Sequence, residues 1–302
     1  MNVADVMTPR DALVTVSLPG TRDDALEYLQ EREFSSIPVV KNEETEETFR
    51  GLVSRRTLIE HPDEDQLALL AEKGPTTTAD TPIAEAARLM VTAGARRVPV
   101  VDGEVLRASE ESSGQRPRDG RLEGIVTITD VIRAIAEDAV AGDTEVGELA
   151  TRTVNTVYAG TPLTVAEREL SHADVPYAVV LDDDATMGGV LTEVDVLDVA
   201  RIVEGETGTG ESIANQDDDW MWEGIKAVGN RYLPTRNVEI PAEPVREFMT
   251  TDVVTVGETQ TAREVAQAML THDVEQLPLV SGGDLDGVVR DADLLENLYD
   301  RS

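Results

Sequence analysis

Apolar residues along the chain alternate between helix-period segments and short β-branched runs, and this cycle recurs four times. Leu26 and Leu29 follow Asp23-Asp24 in the first cycle. Ile83, Ala86, Ala87, Met90 and Val91 follow Thr81-Pro82 in the second. Val165 and Leu170 follow Thr161-Pro162 in the third, and Val265, Ala266, Met269 and Leu270 follow Thr261 in the fourth. Spacings of three and four predict amphipathic helices. Thr81-Pro82 reads as a cap with Pro at the first helical position, where no N–H is needed. A Pro-centred run comes next in each cycle: Ile37-Pro38-Val39-Val40, Val98-Pro99-Val100-Val101, Val175-Pro176-Tyr177-Ala178-Val179-Val180 and Leu277-Pro278-Leu279-Val280. After a polar turn come Gly51-Leu52-Val53, Gly124-Ile125-Val126, Gly189-Val190-Leu191 and Gly287-Val288-Val289. These short runs predict buried strands.

Three cycles open alike, with Val3-Ala4-Asp5-Val6-Met7-Thr8, Val146-Gly147-Glu148-Leu149-Ala150-Thr151 and Val245-Arg246-Glu247-Phe248-Met249-Thr250. The second enters instead through an Ala/Leu helix, Leu67 to Ala71. Each unit is therefore strand–helix–strand–strand–helix, in an α/β chain. A unit of about 60 residues, its sheet covered on one face, buries too little to stand alone. Pairing sheets face to face remedies this. Units at about 1–60 and 67–140 form one expected module, 1–140, and units at about 143–204 and 243–302 form another, 143–302.

Two segments fall outside the cycles. Residues 103–121 interrupt the second unit as a loop containing Gly103, Ser112, Ser113, Gly114, Pro117 and Gly120. Residues 205–242 are an insert between units three and four. Its start, Gly205 to Gly210, reads as a linker. A phosphate-cradling loop is the alternative, but no Gly-Lys-Thr/Ser follows. Trp220 and Trp222, the only tryptophans, predict a short helix over Trp220–Val228 that covers core locally or serves as a partner surface, followed by an extended Asn237–Pro241.

Composition narrows the chemistry. With 26 Lys+Arg against 60 Asp+Glu, the 302-residue chain carries a net charge of −34. That field repels nucleic acid and anionic membrane. No apolar stretch is long enough to span a bilayer, and the N-terminus lacks a signal-peptide core. A cytoplasmic location is expected. No cysteine is present, which removes disulfides, thiol nucleophiles and thiolate metal sites. Only His61, His172 and His272 are available, so no metal site is expected. His172 and His272 fall at helix ends, where imidazole caps carbonyls. The acidic runs Asp182-Asp183-Asp184 and Asp217-Asp218-Asp219 lack a calcium-loop pattern.

The fourfold pattern, with Gly-hydrophobic-hydrophobic-Thr-x-x-Asp closing it, resembles the CBS domain, two of which form a Bateman module. The resemblance covers both halves of the chain and implies four CBS repeats paired into two Bateman modules. It also implies clefts that bind an adenosine ligand: AMP, ADP, ATP or S-adenosylmethionine. Two repeats are complete, Gly124-Ile125-Val126-Thr127-Ile128-Thr129-Asp130 and Gly189-Val190-Leu191-Thr192-Glu193-Val194-Asp195. The first has Thr57 for the Asp, in Gly51-Leu52-Val53-Ser54-Arg55-Arg56-Thr57. The fourth keeps Asp293 but has Arg290 for the hydroxyl.

On this resemblance Thr127, Thr129, Asp130, Thr192 and Asp195 are expected at ribose, with a weaker site at Asp293. A carboxylate accepts both ribose hydroxyls; the alternative is a plain helix cap. Arg96, Arg97, Arg55 and Arg56 are expected at phosphate, since guanidinium forks match phosphate oxygens; surface ion pairs are the alternative. Arg290 either serves phosphate or plugs the Asp293 site. Val98, Pro99, Val175 and Pro176 would line the adenine slots. Asp174 and Gln276 stand where the cations stand in the second repeat, so the second module is expected to take a less anionic ligand or none.

No catalytic constellation is present, and no obligatory cofactor is expected. The resemblance implies a regulatory sensor that passes a conformational change to an unidentified partner protein. The alternative is an interaction scaffold with vestigial clefts. A disc built from one chain and a homodimer are both compatible with four motifs. Finally, 23 Arg against 3 Lys (Lys41, Lys73, Lys226), with so many acids, is similar to proteins of salt-loving archaea. Molar salt shortens the Debye length to about 3 Å. A basic partner docking on the acid is the other reading.

Overall fold

The computed structural model describes residues 1–31, 36–42, 47–54, 57–58, 61, 64–102, 120–173, 175–199, 201–204 and 236–299. The expected helix at Trp220–Val228, Arg55, Arg56, Asp174 and most of the 103–121 loop lie outside them. Four repeats of strand, helix and antiparallel hairpin follow one another. In the first, β2 (Val16–Leu18) runs parallel to β3 (Ser36–Asn42), which pairs antiparallel with β4 (Glu47–Ser54). In the third, β7 (Thr156–Tyr158), β8 (Tyr177–Leu181) and β9 (Met187–Thr192) repeat that order. The second hairpin is β5 (Arg97–Val101) with β6 (Leu122–Thr127), and the fourth is β12 (Gln276–Ser281) with β13 (Asp284–Arg290). In these two the parallel strand shrinks to a single bridge, Thr77 to Val100 and Val256 to Leu279.

That shrinkage explains the tolerated proline. Pro99 turns its carbonyl to Thr77 N at 3.0 Å, and Pro278 turns its own to Val256 N at 3.0 Å. The imide nitrogen therefore faces the side where the neighbouring strand is shortest, and no ladder bond is forfeited.

Repeats are knitted in pairs by exchange of their lead-in segments. β1 (Thr8–Pro9), ahead of the first repeat, pairs with Gly124–Ile125 of the second. Glu72, ahead of the second, pairs with Leu52 of the first. Thr151 pairs with Val288, and Thr250 with Val190, so the third and fourth repeats exchange in the same way. The close approach accounts for the glycines that open these strands. A Cβ on Gly51, Gly124 or Gly189 would sit 2.6 Å from the carbonyl oxygen of Glu72, Thr8 or Thr250 respectively.

Strand residues alternate between two cores, as period-two packing requires. Val39 joins Val16, Leu29, Ile37, Val53 and Leu67 beneath the first repeat's helix. Val40 instead meets Phe49, Val101 and Leu122 between the first and second sheets. In the second half Val180, Leu163, Leu170 and Leu191 share one core, and Tyr177, Val179, Val190 and Val288 another. Both faces are buried, which is why the strands read as continuous apolar runs.

Two compact units result. One holds Met1–Ala150, Gly257–Leu277 and Val289–Ser302; the other holds Thr151–Val256 and Pro278–Val288. Within the first, helix Ile128–Ala136 packs on Ala262–His272, and Ile83–Ala93 on Asp291–Tyr299. Thr261 caps its helix, with Glu264 closing the box. Pro82 does not fill the first helical position. It is itself the cap residue, in extended conformation, while the Thr81 hydroxyl turns back to Thr78. The extended stretch expected at Asn237 is a strand, β11 (Arg236–Glu239), paired with β10 (Arg201–Glu204). Among the described residues no helix is long and apolar enough to cross a membrane.

Candidate functional site

Asp130 sits at the third position of helix Ile128–Ala136, and Thr127 is that helix's cap, at the end of β6. Thr127 N and Oγ1 donate to Asp130 Oδ2 at 2.9 and 2.8 Å, while Thr127 Oγ1 accepts from Asp130 N at 3.3 Å. This reciprocal box holds the carboxylate at the strand–helix corner. Asp130 Oδ1 meets Arg133 Nη1 at 3.2 Å. Thr129 is exposed on the same turn.

Arg97 stands directly opposite Thr127 in the β5–β6 register, so the two side chains share a face. The Arg97 guanidinium is half-buried and donates to Ser36, through Nη1, at 3.2 Å to the hydroxyl and 3.4 Å to the carbonyl. Among the described residues it has no carboxylate within ion-pair distance. Burial and the neighbouring Arg96 charge pull its pKa below the usual guanidinium value. Ser36 occupies in the first repeat the position Arg97 occupies in the second, just before the hydrophobic-Pro pair.

Arg96 behaves differently. Its Nη2 pairs with Asp291 Oδ2 at 2.6 Å and with Glu275 Oε1 at 2.7 Å. Burial lifts the Glu275 pKa, and Arg96 opposes that rise. Among the described residues Arg96 thus forms ion pairs and Arg97 forms none. Sequence reasoning misses Asp291 and Glu275 as its partners. The one signal for Asp291 is the acid run flanking Arg290, in a chain where many carboxylates compete for each cation.

A cavity of about 190 Å³ opens beside Asp130, lined by Met1, Asp5, Val6, Asp130, Arg133, Ala134, Glu137 and Ala139. Drug-sized sites usually start near 300 Å³, so this one admits a sugar-sized group. Its carboxylates Asp5, Asp130 and Glu137 favour hydroxyl donors. The expected adenine slot is not seen there: Val98 and Pro99 are buried and do not line this cavity. The Val98 side chain, fully buried, belongs to the packed interior.

The third repeat reproduces the corner. Thr192 N and Oγ1 both donate to Asp195 Oδ2 at 2.8 Å, and Asp195 N returns to Thr192 Oγ1 at 3.3 Å. Val175 is half-buried and Pro176 exposed. In the fourth repeat Arg290 N donates to Asp293 Oδ2 at 2.8 Å, and the Arg290 guanidinium also closes on that carboxylate. Asp293 is only 4% exposed. In the first repeat Ser54 Oγ accepts from Thr57 N at 3.0 Å, a neutral version of the same cap. Among the described residues no group of three or more His, Asp or Glu is placed to hold a metal ion.

Comparison with known proteins agrees with this architecture. The CBS domain family matches at residues 3–64, 70–106, 146–201 and 245–300. An uncharacterised protein of Methanocaldococcus jannaschii is 24% identical over 298 residues, covering 99% of this chain and 62% of its own length. The chain thus spans less than two thirds of that curated relative. A crystal structure of an uncharacterised conserved protein from Pyrococcus horikoshii superposes with a TM-score of 0.65 at 27% identity, covering 99% of this chain and all of its own. A second, from M. jannaschii, gives 0.63 at 17% identity, covering 98% and 99%.

Proposed function

Since the chain belongs to the CBS domain family, we propose that it is a regulatory protein that binds an adenosine-containing ligand at the Thr127–Asp130 corner. The observation that carries this is the placement of Arg97 opposite Thr127, a half-buried cation that among the described residues has only neutral oxygens on it, beside a carboxylate set for hydroxyls. Ribose hydroxyls donate to Asp130 next to the sugar-sized cavity, and a phosphate displaces Ser36 from Arg97. Arg96, already neutralised by two acids, adds little to phosphate binding. Among the described residues, which leave out Arg55 and Arg56, the net complement is one guanidinium, which favours a monophosphate such as AMP over ADP or ATP.

The Asp195 corner offers the same hydroxyl chemistry without a matching arginine, since Tyr177 stands opposite Thr192. It suits adenosine or S-adenosylmethionine. Ligand binding at either corner bears on a helix start, and so on the packing of that helix, which is how a signal reaches a partner protein. We read the chain as non-catalytic, cytoplasmic and salt-adapted, with its charge of −34 serving hydration.

Calorimetric titration in molar KCl with AMP, ADP, ATP and S-adenosylmethionine tests the reading. Micromolar binding of AMP, weakening through ADP to ATP, is expected. Absence of binding by all four to folded protein would return the corners to plain helix caps and favour a scaffold. Refolding against KCl tests the salt reading; full stability in dilute buffer would overturn it.

A further inference from the structure

Four lead-in residues occupy one register position. Thr8 pairs with Ile125, Thr151 with Val288 and Thr250 with Val190, each partner one residue past the glycine that opens its strand segment. The matching residue of the first repeat is Leu52, and it pairs with Glu72. Three positions therefore hold threonine and the fourth a glutamate. The corner residue departs in that same repeat and in no other: Asp130, Asp195 and Asp293 stand against Thr57. The two departures are complementary, since the first repeat has the acid on the lead-in segment and the hydroxyl at the corner, the reverse of the other three.

The exchanged side chains meet. Thr57 Oγ1 donates to Glu72 Oε1 at 2.9 Å, and Ser54 Oγ lies 2.7 Å from Thr57 Oγ1. Reciprocal backbone bonds fix the register, Leu52 N to Glu72 O at 2.9 Å and Glu72 N to Leu52 O at 2.8 Å. Thr57 is 2% exposed, whereas Glu72 is exposed. Glu72 accepts no further side-chain hydrogen bond among the described residues. A purely structural cap needs only Ser54, which already bonds Thr57 N.

We propose that Glu72 supplies in trans, from the segment joining the first two repeats, the carboxylate missing from the first corner. Glu72, with Thr57 holding one of its oxygens, forms a further site for the vicinal hydroxyls of a nucleoside. The proposal rests on the reading of Asp130 as a hydroxyl-binding carboxylate. A carboxylate has lone pairs for several donors, so the Thr57 bond leaves room for two ligand hydroxyls, in charge-assisted bonds.

The test is titration of the full-length protein with adenosine and 2′-deoxyadenosine. Wild type is expected to show one class of adenosine sites lost in Asp130→Ala and another weakened at least tenfold in Glu72→Gln, with 2′-deoxyadenosine failing at both. The swap variant Thr57→Asp/Glu72→Thr gives the first repeat the arrangement of the others and should regain the class lost in Glu72→Gln. If Glu72→Gln leaves every class intact while Asp130→Ala removes one, this proposal falls and the Asp130 reading stands. Loss in Glu72→Gln without recovery in the swap, both proteins folded by circular dichroism, also overturns it. Adenosine binding nowhere in wild type overturns both readings.

Discussion

The second and fourth repeats end the same strand in the same way, but where one has Thr127 the other has Arg290. Both place an aspartate three positions on, both take a backbone N–H onto its Oδ2, and both bury it. In the second repeat the partner is a hydroxyl, which satisfies the cap and leaves Asp130 Oδ1 at the rim of a cavity, touched only by Arg133 among the described residues. In the fourth a guanidinium fork spans both oxygens of Asp293. A hydroxyl on Oδ2 with a single arginine contact on Oδ1 leaves Asp130 lone pairs for a ligand, whereas a fork on both oxygens of Asp293 uses up the charge and the lone pairs a ligand needs. An aspartate at a helix start is therefore no guide to binding until its partner three residues earlier is read with it.

The largest effect should come from Asp130→Ala. Hydrogen bonds to a charged group contribute about 1.5–3 kcal/mol, so AMP affinity at this corner should fall roughly ten- to hundredfold. Loss of the capping box costs about 0.5–2 kcal/mol of stability in addition, read as a lower Tm without ligand. Unchanged AMP affinity would erase the distinction between the two corners. Next is Arg97→Gln, which removes the cation and keeps a hydrogen-bonding side chain for Ser36. AMP affinity should drop about tenfold while adenosine affinity holds, and the ratio of the two is the quantity to measure. Equal losses for both ligands would mean that Arg97 supports the site without touching phosphate.

A smaller effect is expected where the comparison is reversed. Arg290→Thr converts the fourth corner into a copy of the second, and calorimetry should then register one additional, weak adenosine-binding event. No new event, with the protein folded, would show that the Asp293 corner lacks a cavity as well as a free carboxylate.

Much of this is legible in the order of residues alone. Periodicity and the Pro-centred runs predict the hairpins, and Thr127, Asp130, Thr192 and Asp195 form the corners their spacing implies. What the sequence does not disclose depends on register and on contacts between distant segments. Glu72 precedes a repeat whose opening looks unlike the others, and its equivalence with Thr8 exists only through strand pairing. Arg96 and Arg97 are adjacent and chemically identical in the sequence. Arg97 opens β5 and Arg96 lies in the bend just before it, and the two turn apart, one toward Asp291 and Glu275, the other toward Ser36. Burial is equally a matter of packing: Val98, in a strand buried on both faces, points into the core.

That contrast between adjacent arginines sets the last and smallest prediction. Asp291 is 6% exposed and holds Arg96 Nη2 at 2.6 Å. Glu275, more open, holds the same nitrogen, with its own pKa raised by burial. While both acids are charged, Arg96 offers a second or third phosphate no net attraction, and two nearby carboxylates repel it. Asp291→Asn removes one negative charge and keeps the shape. Arg96 would then have a single exposed acid to compete with, and a part-exposed ion pair is weak. The affinity ratio of ATP to AMP should rise by a factor of about two to five, the range such a pair spans, with adenosine affinity unchanged. Glu275→Gln should move the ratio in the same direction, and by less, because that carboxylate is more exposed and better screened by salt. A ratio indifferent to both substitutions would place Arg96 outside the reach of the ligand's phosphates, leaving Arg97 as the cation that separates the second repeat from the fourth.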